Sequence, residues 1–532
     1  MKINSGKILE INNLTVTYSS FQSPVLKNIE LEVNKGDHLA VIGPSGCGKT
    51  TFAKSIVMML PKYSIFTGDI LVQGENCKVM NNKKLQSFRR DNFGYIYQDS
   101  IKKLNPLMTV EAHLYELLKI HKPYESYSEI KKSVHEVFLK VGIDTKRLNS
   151  YPHEFSGGMR QRVCIAMALA LNPSIIIADE PTTSLDSYTS YKIMDELLNL
   201  CKKFESTLIL ISHDINLAAK WCKKIAIFDK GKIKEYGEIK EVLNSPKSHI
   251  GKKLVSSAFS NLKKNNLFSK ESPAILEVEN LRCWYRTNFS FFYPKWNKAI
   301  NEISFKLLRN ETLGLVGISG SGKSTLGRAL VGLTDQRGGN IKINIERKNL
   351  HRDTKIQKAR NIQMIFQDPF SSLNPKMTIK RILEDICLLH HSSNKKLMQD
   401  KLKLSLNKLD LPSDENFLNS YPNELSGGQL QRVAIAKALL INPKILICDE
   451  SITMLDAAIK VDILKLLRKV QEEMSLSIIF ITHDLGLAKK FCDRLLIIDK
   501  GIIVEEGDTF QIFNNPKHIV TKTLISSCLN IN

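Results

Sequence analysis

The chain has 532 residues, more than one hydrophobic core serves, and so implies two or more domains. Its composition, 43% hydrophobic and 24% charged, is that of a folded globular protein and excludes a disordered or fibrous chain. A formal net charge of +22 favours acidic partners such as nucleotides, nucleic acid or an anionic membrane surface; scattered lysines fit a compositional bias equally well.

No apolar run reaches the roughly 18–20 residues of a membrane helix, and Met1–Lys7 lacks the apolar centre of a signal peptide. Ten dispersed cysteines without a C-x-x-C pair read as small buried residues of a reducing compartment, not as a disulfide or zinc framework.

Strand-like alternation opens the chain at Ile8–Ile11 and Leu14–Tyr18. The apolar run Leu39–Ile42 then leads into Gly43-Pro44-Ser45-Gly46-Cys47-Gly48-Lys49-Thr50, followed by Thr51 and a segment of helical character to Leu60. This is the strand–loop–helix setting of a phosphate-binding loop. Its glycines let backbone N–H groups turn toward phosphate oxygens. The helix start adds partial positive charge, Lys49 a full one, and Thr50 a hydroxyl suited to magnesium.

Further along, Tyr95-Ile96-Tyr97 ends in Gln98, an amide able to reach a magnesium ion or its water, or simply a polar strand end. Ser156-Gly157-Gly158-Met159 precedes a helical apolar pattern and reads either as a cap and turn or as a second anion site. The strand Ser174–Ala178 ends in Asp179-Glu180. Two carboxylates there are costly unless they meet a cation or solvent. In a phosphate-loop protein Asp179 belongs to the magnesium shell, while Glu180 orients and deprotonates water. Leu208–Ser212 ends in His213, a strand cap or an imidazole that bonds a γ-phosphate.

The same succession returns. Ile275–Val278 and Leu281–Tyr285 repeat the opening, and Gly317-Ile318-Ser319-Gly320-Ser321-Gly322-Lys323-Ser324, followed by Thr325, repeats the loop. Gln367, then Ser426-Gly427-Gly428-Gln429, then Asp449-Glu450 and finally His483 follow in order. The separation is 274 for Lys49/Lys323, 269 for Gln98/Gln367, and 270 for Ser156/Ser426, Asp179/Asp449 and His213/His483. A near-constant offset means a duplicated domain of about 250 residues, of α/β class. The expected division is residues 1–243, a post-cassette segment and linker over 244–273 that includes the polar stretch Asn261–Asn266, and residues 274–532. The repetition favours the functional reading of the phosphate loops and of the Ser-Gly-Gly segments; Asp449 joins Asp179 as a magnesium residue and Glu450 joins Glu180 as a base.

With these residues placed, the chain resembles the ATP-binding cassette (ABC) ATPases over Ile8–Gly237 and Ile275–Gly507. The resemblance implies tandem P-loop NTPase domains, each with a mixed sheet core, an antiparallel β-subdomain and a helical signature subdomain. It implies ATP and magnesium as cofactors, with Thr50, Gln98, Asp179, Ser324, Gln367 and Asp449 about the metal. Tyr18 and Tyr285 would stack on adenine, Gln98 and Gln367 would link nucleotide to the transport partner, and Asp186 and Asp456 would be D-loop aspartates. Family members sandwich two ATPs head to tail, so Lys49 would share its nucleotide with Ser426–Gln429, and Lys323 with Ser156–Met159.

Gln367-Asp368-Pro369-Phe370-Ser371-Ser372-Leu373-Asn374-Pro375, Tyr151–Gln161 and the tails Ser245–His249 and Asn515–His518 look most like fused ATPases of dipeptide and oligopeptide importers, a group that includes nickel, metallophore and glutathione importers. That implies integral-membrane permease subunits, an extracytoplasmic solute-binding protein beyond them, and a peripheral place on the cytoplasmic face of the bacterial membrane. A tandem-cassette translation or repair factor and an exporter energiser are the rivals. The short mixed linker, Ser184-Leu185-Asp186 and the lack of zinc-finger cysteines argue against a nucleic-acid partner. Ser100, Met159 and Ser451-Ile452-Thr453-Met454 depart from the family pattern, leaving the first Q-loop, the symmetry of the sites and the second D-loop open. Absence of clustered cysteines beyond the cassettes gives the expectation of no iron–sulfur cluster.

Overall fold

The computed structural model describes residues 6–19, 23–98, 103–182, 185–259, 262, 265–286, 296–344, 359–390, 395–452 and 455–528. Ser100, Ser184, Thr453, Met454 and the linker residues Asn261, Lys263 and Lys264 lie outside them. Two compact units emerge, the first formed chiefly by residues 1–260 and the second chiefly by residues 261–530.

In the first unit the strands are β1 (Lys7–Tyr18), β2 (Leu26–Asn34), β3 (His38–Ile42), β4 (Ser64–Val72), β5 (Glu75–Asn76), β6 (Phe93–Ile96), β7 (Ile175–Asp179), β8 (Thr207–Ser212), β9 (Lys224–Asp229) and β10 (Lys232–Glu238). Among the described residues they form a main sheet in the order β10-β9-β3-β8-β7-β6 and an antiparallel sheet in the order β2-β1-β4-β5. β7 and β8 are buried at every residue, as parallel strands covered on both faces must be. The edge strand β10 instead alternates exposed Lys232, Lys234, Tyr236 and Glu238 with half-buried Ile233, Glu235 and Gly237, and its charges discourage pairing with another chain.

Alternation along β3 divides the core. Leu39 and Val41 pack with Phe52, Ala53 and the antiparallel sheet, whereas Ala40 and Ile42 face a second cluster with Val163, Ile193 and Leu197 from the helices. The helices Val110–His121, Tyr127–Lys140 and Gly157–Leu169 pack against one another. Ser126 and Glu129 cap the second of these reciprocally.

The second unit repeats this plan with β11 (Ala274–Arg286), β12 (Trp296–Leu308), β13 (Thr312–Val316), β14 (Gly338–Ile343), β15 (Ile362–Ile365), β16 (Ile445–Asp449), β17 (Ser477–Thr482), β18 (Arg494–Asp499) and β19 (Ile502–Asp508). Its sheets run β15-β16-β17-β13-β18-β19 and β12-β11-β14. The stretch read from composition as post-cassette segment and linker holds a helix, His249–Phe259, with Leu254 buried and the Ser248 amide hydrogen-bonded to Glu235 of β10. That helix therefore packs on the first unit. Among the described residues no helix is long and apolar enough to cross a membrane.

Candidate nucleotide sites

Every parallel strand of a unit delivers its last residues to one edge of the main sheet, and that edge gathers the motifs. β3 runs into the phosphate loop and the helix Lys49–Ile56; β13 does the same for Lys323–Leu330. At the two helix starts, Gly48 and Gly322 both have φ 106°, a left-handed conformation natural to glycine. The Lys49 ammonium donates to the Gly43 and Pro44 carbonyls at 2.7 and 2.9 Å, and that of Lys323 to Gly317 and Ile318 at 2.9 and 3.0 Å. Both lysines are thus folded over their loops, held where a phosphate would replace the carbonyls as a partner.

Beside the loop stands the aspartate that ends the apolar strand two places along the sheet, beyond β8 in the first unit and β17 in the second. Thr50 Oγ1 lies 3.5 Å from Asp179 Oδ1, and Ser324 Oγ donates to Asp449 Oδ1 at 2.9 Å. Burial pushes both carboxyls above their ordinary range, and the hydroxyl donors only partly counter it. A buried carboxylate, a hydroxyl and a phosphate loop form an all-oxygen donor set, the kind magnesium takes when most of its shell is water and phosphate. The residues fit the ion at both places.

One residue on, Glu180 and Glu450 have φ 47° and 45°, the left-handed region that a glutamate rarely occupies. Their amides donate back to Ile211 and Ile481 at 2.9 Å, anchoring the turn to the next strand. The carboxylates then meet two other motifs. Gln98 Nε2 donates to Glu180 Oε2 at 3.0 Å, and Gln367 Nε2 to Glu450 Oε2 at 2.9 Å. His213 Nδ1 lies 3.4 Å from Glu180 Oε1, while His483 Nδ1–H donates to Glu450 Oε1 at 3.0 Å. Burial acts to raise Glu450, but the His483 hydrogen bond and charge, with Lys323 behind them, outweigh it and hold the carboxyl below its ordinary range. An ionised, oriented carboxylate beside a phosphate loop is equipped to take a proton from water.

Ser156 and Ser426 are the N-caps of Gly157–Leu169 and Gly427–Leu439, with Gly157-Gly158 and Gly427-Gly428 in the first turns. Ser426 and Gln429 cap each other reciprocally; Met159 cannot, and Arg147 Nη1 lies 3.3 Å from its sulfur instead. Tyr18 donates to Thr51 Oγ1 at 3.1 Å, next to the loop helix. Tyr285 sits 3.4 Å from Thr334, beyond the end of the corresponding helix, so the two tyrosines are held differently. Asp186 caps Ser187–Lys203 through Thr189. Cys47 and Ser321 occupy the same loop position and are both buried.

The sequence motifs do not reveal Tyr95. Its hydroxyl donates to Asp179 Oδ2 at 3.2 Å, and only its place next to last in β6, a strand paired with β7, signals the contact.

The ABC transporter family model matches residues 26–183 and 300–453. The uncharacterized ABC transporter ATP-binding protein YejF of Escherichia coli K12 is 34% identical, over 98% of this chain and 99% of that protein. The peptidoglycan transport ATP-binding protein YejF of Agrobacterium fabrum C58 is 32% identical, over 99% and 97%. The glutathione import ATP-binding protein GsiA of Escherichia coli K12 is 31% identical, over 99% and 90%. Among solved structures, the dimeric ATP-binding cassette MJ0796 with ADP and Pi is 30% identical over 44% of this chain and 99% of its own, with a TM-score of 0.40. With two family matches covering more than half of its length, the chain belongs to the ATP-binding proteins of ABC transporters and is an ATPase carrying two cassettes in one polypeptide.

Proposed function

We propose that the chain is the ATP-hydrolysing subunit of a bacterial importer for di- or oligopeptides or a related small solute such as nickel, a metallophore or glutathione. ATP-driven closure of its cassettes would drive separate integral-membrane permease subunits from the cytoplasmic face, with an extracytoplasmic solute-binding protein delivering cargo. The observation that carries the hydrolytic part is the trio at each sheet edge: Glu180 with Gln98 and His213, and Glu450 with Gln367 and His483, beside a lysine loop. Similarity over nearly the whole length to proteins named for peptidoglycan transport and glutathione import supports the solute class.

In this reading the phosphate loops, Gly43–Thr51 and Gly317–Thr325, hold the β- and γ-phosphates through backbone N–H groups and Lys49 or Lys323. Thr50 with Asp179, and Ser324 with Asp449, hold magnesium, assisted by Gln98 and Gln367. When bound, the ion neutralises charge on the phosphate oxygens. Glu180 and Glu450 accept the proton of the attacking water as its oxygen bonds the γ-phosphorus and the bond to ADP breaks. His213 and His483 steady those carboxylates and face the γ-phosphate. Tyr18 and Tyr285 serve the adenine. The signature residues Ser156–Met159 and Ser426–Gln429 contribute hydroxyls and helix-start N–H groups.

The test replaces both bases. Glu180→Gln with Glu450→Gln removes the proton acceptors while keeping side-chain size, so turnover should fall by about 10²-fold or more with MANT-ATP affinity retained. Turnover equal to the parent protein's would refute the base assignment. Co-purification with membrane permeases, as opposed to ribosomes or DNA, tests the transport role.

A further inference from the structure

The two sheet edges differ at one point close to the metal residues. Tyr95 pairs with Ile177 across β6 and β7, and Met364 pairs with Ile447 across β15 and β16. Each stands two residues before the aspartate on the neighbouring strand, so the two positions are equivalent. From the first, a phenol reaches Asp179 Oδ2 at 3.2 Å. The second carries a thioether, whose methyl packs instead toward Gly327 of the loop helix, 3.3 Å from where a Cβ would stand. The first unit has Ala53 at the position of Gly327, counted from the loop lysines, and so lacks that space. Tyr97 packs against the Tyr95 ring with centroids 4.4 Å apart and the planes tilted by 42°, limiting the directions open to the phenol. The hydroxyl partners differ in step, Thr50 at 3.5 Å from Asp179 and Ser324 at 2.9 Å from Asp449.

We infer that Tyr95 is a positioning residue for the metal-holding carboxylate of the first unit alone, keeping Asp179 Oδ1 turned toward Thr50, so that the two cassettes bind magnesium–nucleotide with different metal dependence. A hydrogen bond to the outer oxygen of a ligating carboxylate fixes its rotamer, and loss of such a partner weakens metal binding. In the second unit Ser324 does this work from the other side at the shorter distance. The inference rests on the reading of Asp179 as a magnesium residue.

The experiment measures MANT-AMP-PNP fluorescence against free Mg²⁺ in the full-length chain, with Lys323→Ala to leave the Lys49 loop as the main reporter and Lys49→Ala for the converse. Tyr95→Phe keeps the ring and its packing against Tyr97 but removes the donor. It should raise the half-saturating Mg²⁺ about 10-fold or more in the first background and change it less than about twofold in the second. A change below twofold in the first background, a tighter site, or an equal change in both overturns the inference. Asp179→Asn separates the two layers. If it shifts the Mg²⁺ dependence while Tyr95→Phe does not, the tyrosine assignment alone fails; if Asp179→Asn shifts nothing, the magnesium reading fails and takes the inference with it.

Discussion

The glycines of the phosphate loops separate two physical demands that are usually lumped together. Gly320 has φ 81° with open space where a side chain would begin. Gly322 has φ 106°, and a Cβ there would stand 2.3 Å from the Ala299 carbonyl oxygen of β12. Alanine at 320 therefore meets only the left-handed penalty, about 1–2 kcal/mol. At 322 it meets that penalty and a backbone collision that no rotamer relieves, adding about 1–3 kcal/mol. Gly48 falls between them, its nearest backbone atom being the Val25 oxygen at 3.2 Å and its nearest contact the movable Leu26 methyl at 2.9 Å. The expected order of destabilisation is Gly320→Ala, then Gly48→Ala, then Gly322→Ala. For a unit of this size, about 3 kcal/mol at Gly322 corresponds to a fall in Tm of about 6–12 °C. Differential scanning calorimetry of the full chain, with its two units followed separately, measures it. Gly322→Ala should also weaken MANT-ATP binding, since the shift moves the start of the lysine helix. Equal losses for Gly320→Ala and Gly322→Ala would refute the argument that approach to β12, beyond φ, requires glycine there.

Glu311 is fully buried between β12 and β13, where it accepts from the Leu308 amide and from Arg494 Nη1, each at 2.7 Å. Burial outweighs these partners and pushes its carboxyl up to about 7. The folded chain then holds a proton that the unfolded chain releases above about 4.5, so this group's stabilisation is complete at low pH and is lost as pH rises through 7. The loss amounts to about 3 kcal/mol, and Glu311→Gln should remove that share of the slope in urea melts between pH 5 and 8; an unchanged slope would contradict the assignment. Met159→Gln should install in the first unit the reciprocal cap that Ser426 and Gln429 form in the second. A gain of about 0.5–1 kcal/mol would appear as slower amide exchange in the first turn of Gly157–Leu169, and faster exchange would count against it.

Much of this protein is legible in its sequence because its motifs are local. A phosphate loop needs only an apolar strand, its own glycines and the helix it starts, and all of these lie between Leu39 and Leu60. The duplication is likewise a matter of counting, and the repeated sheets follow it. The post-cassette segment shows where local reading stops. Asn244–Pro273 is polar enough to pass for linker, yet His249–Phe259 is a helix, because Leu254 finds an apolar face that sequence proximity does not disclose.

What the residues of one segment could decide, they decided: the lysine loops, the serine caps, and strands ending in paired carboxylates. Tertiary structure alone decided which of those carboxylates meets which partner. Glu180 reaches Gln98 across 82 positions and Tyr95 reaches Asp179 across 84, while Arg494 and Glu311 are 183 apart. Such contacts depend on the order of strands in a parallel sheet and on a left-handed turn at Glu180 and Glu450. Both are set by packing of the whole unit, since no short stretch contains the energy that holds a glutamate in that conformation.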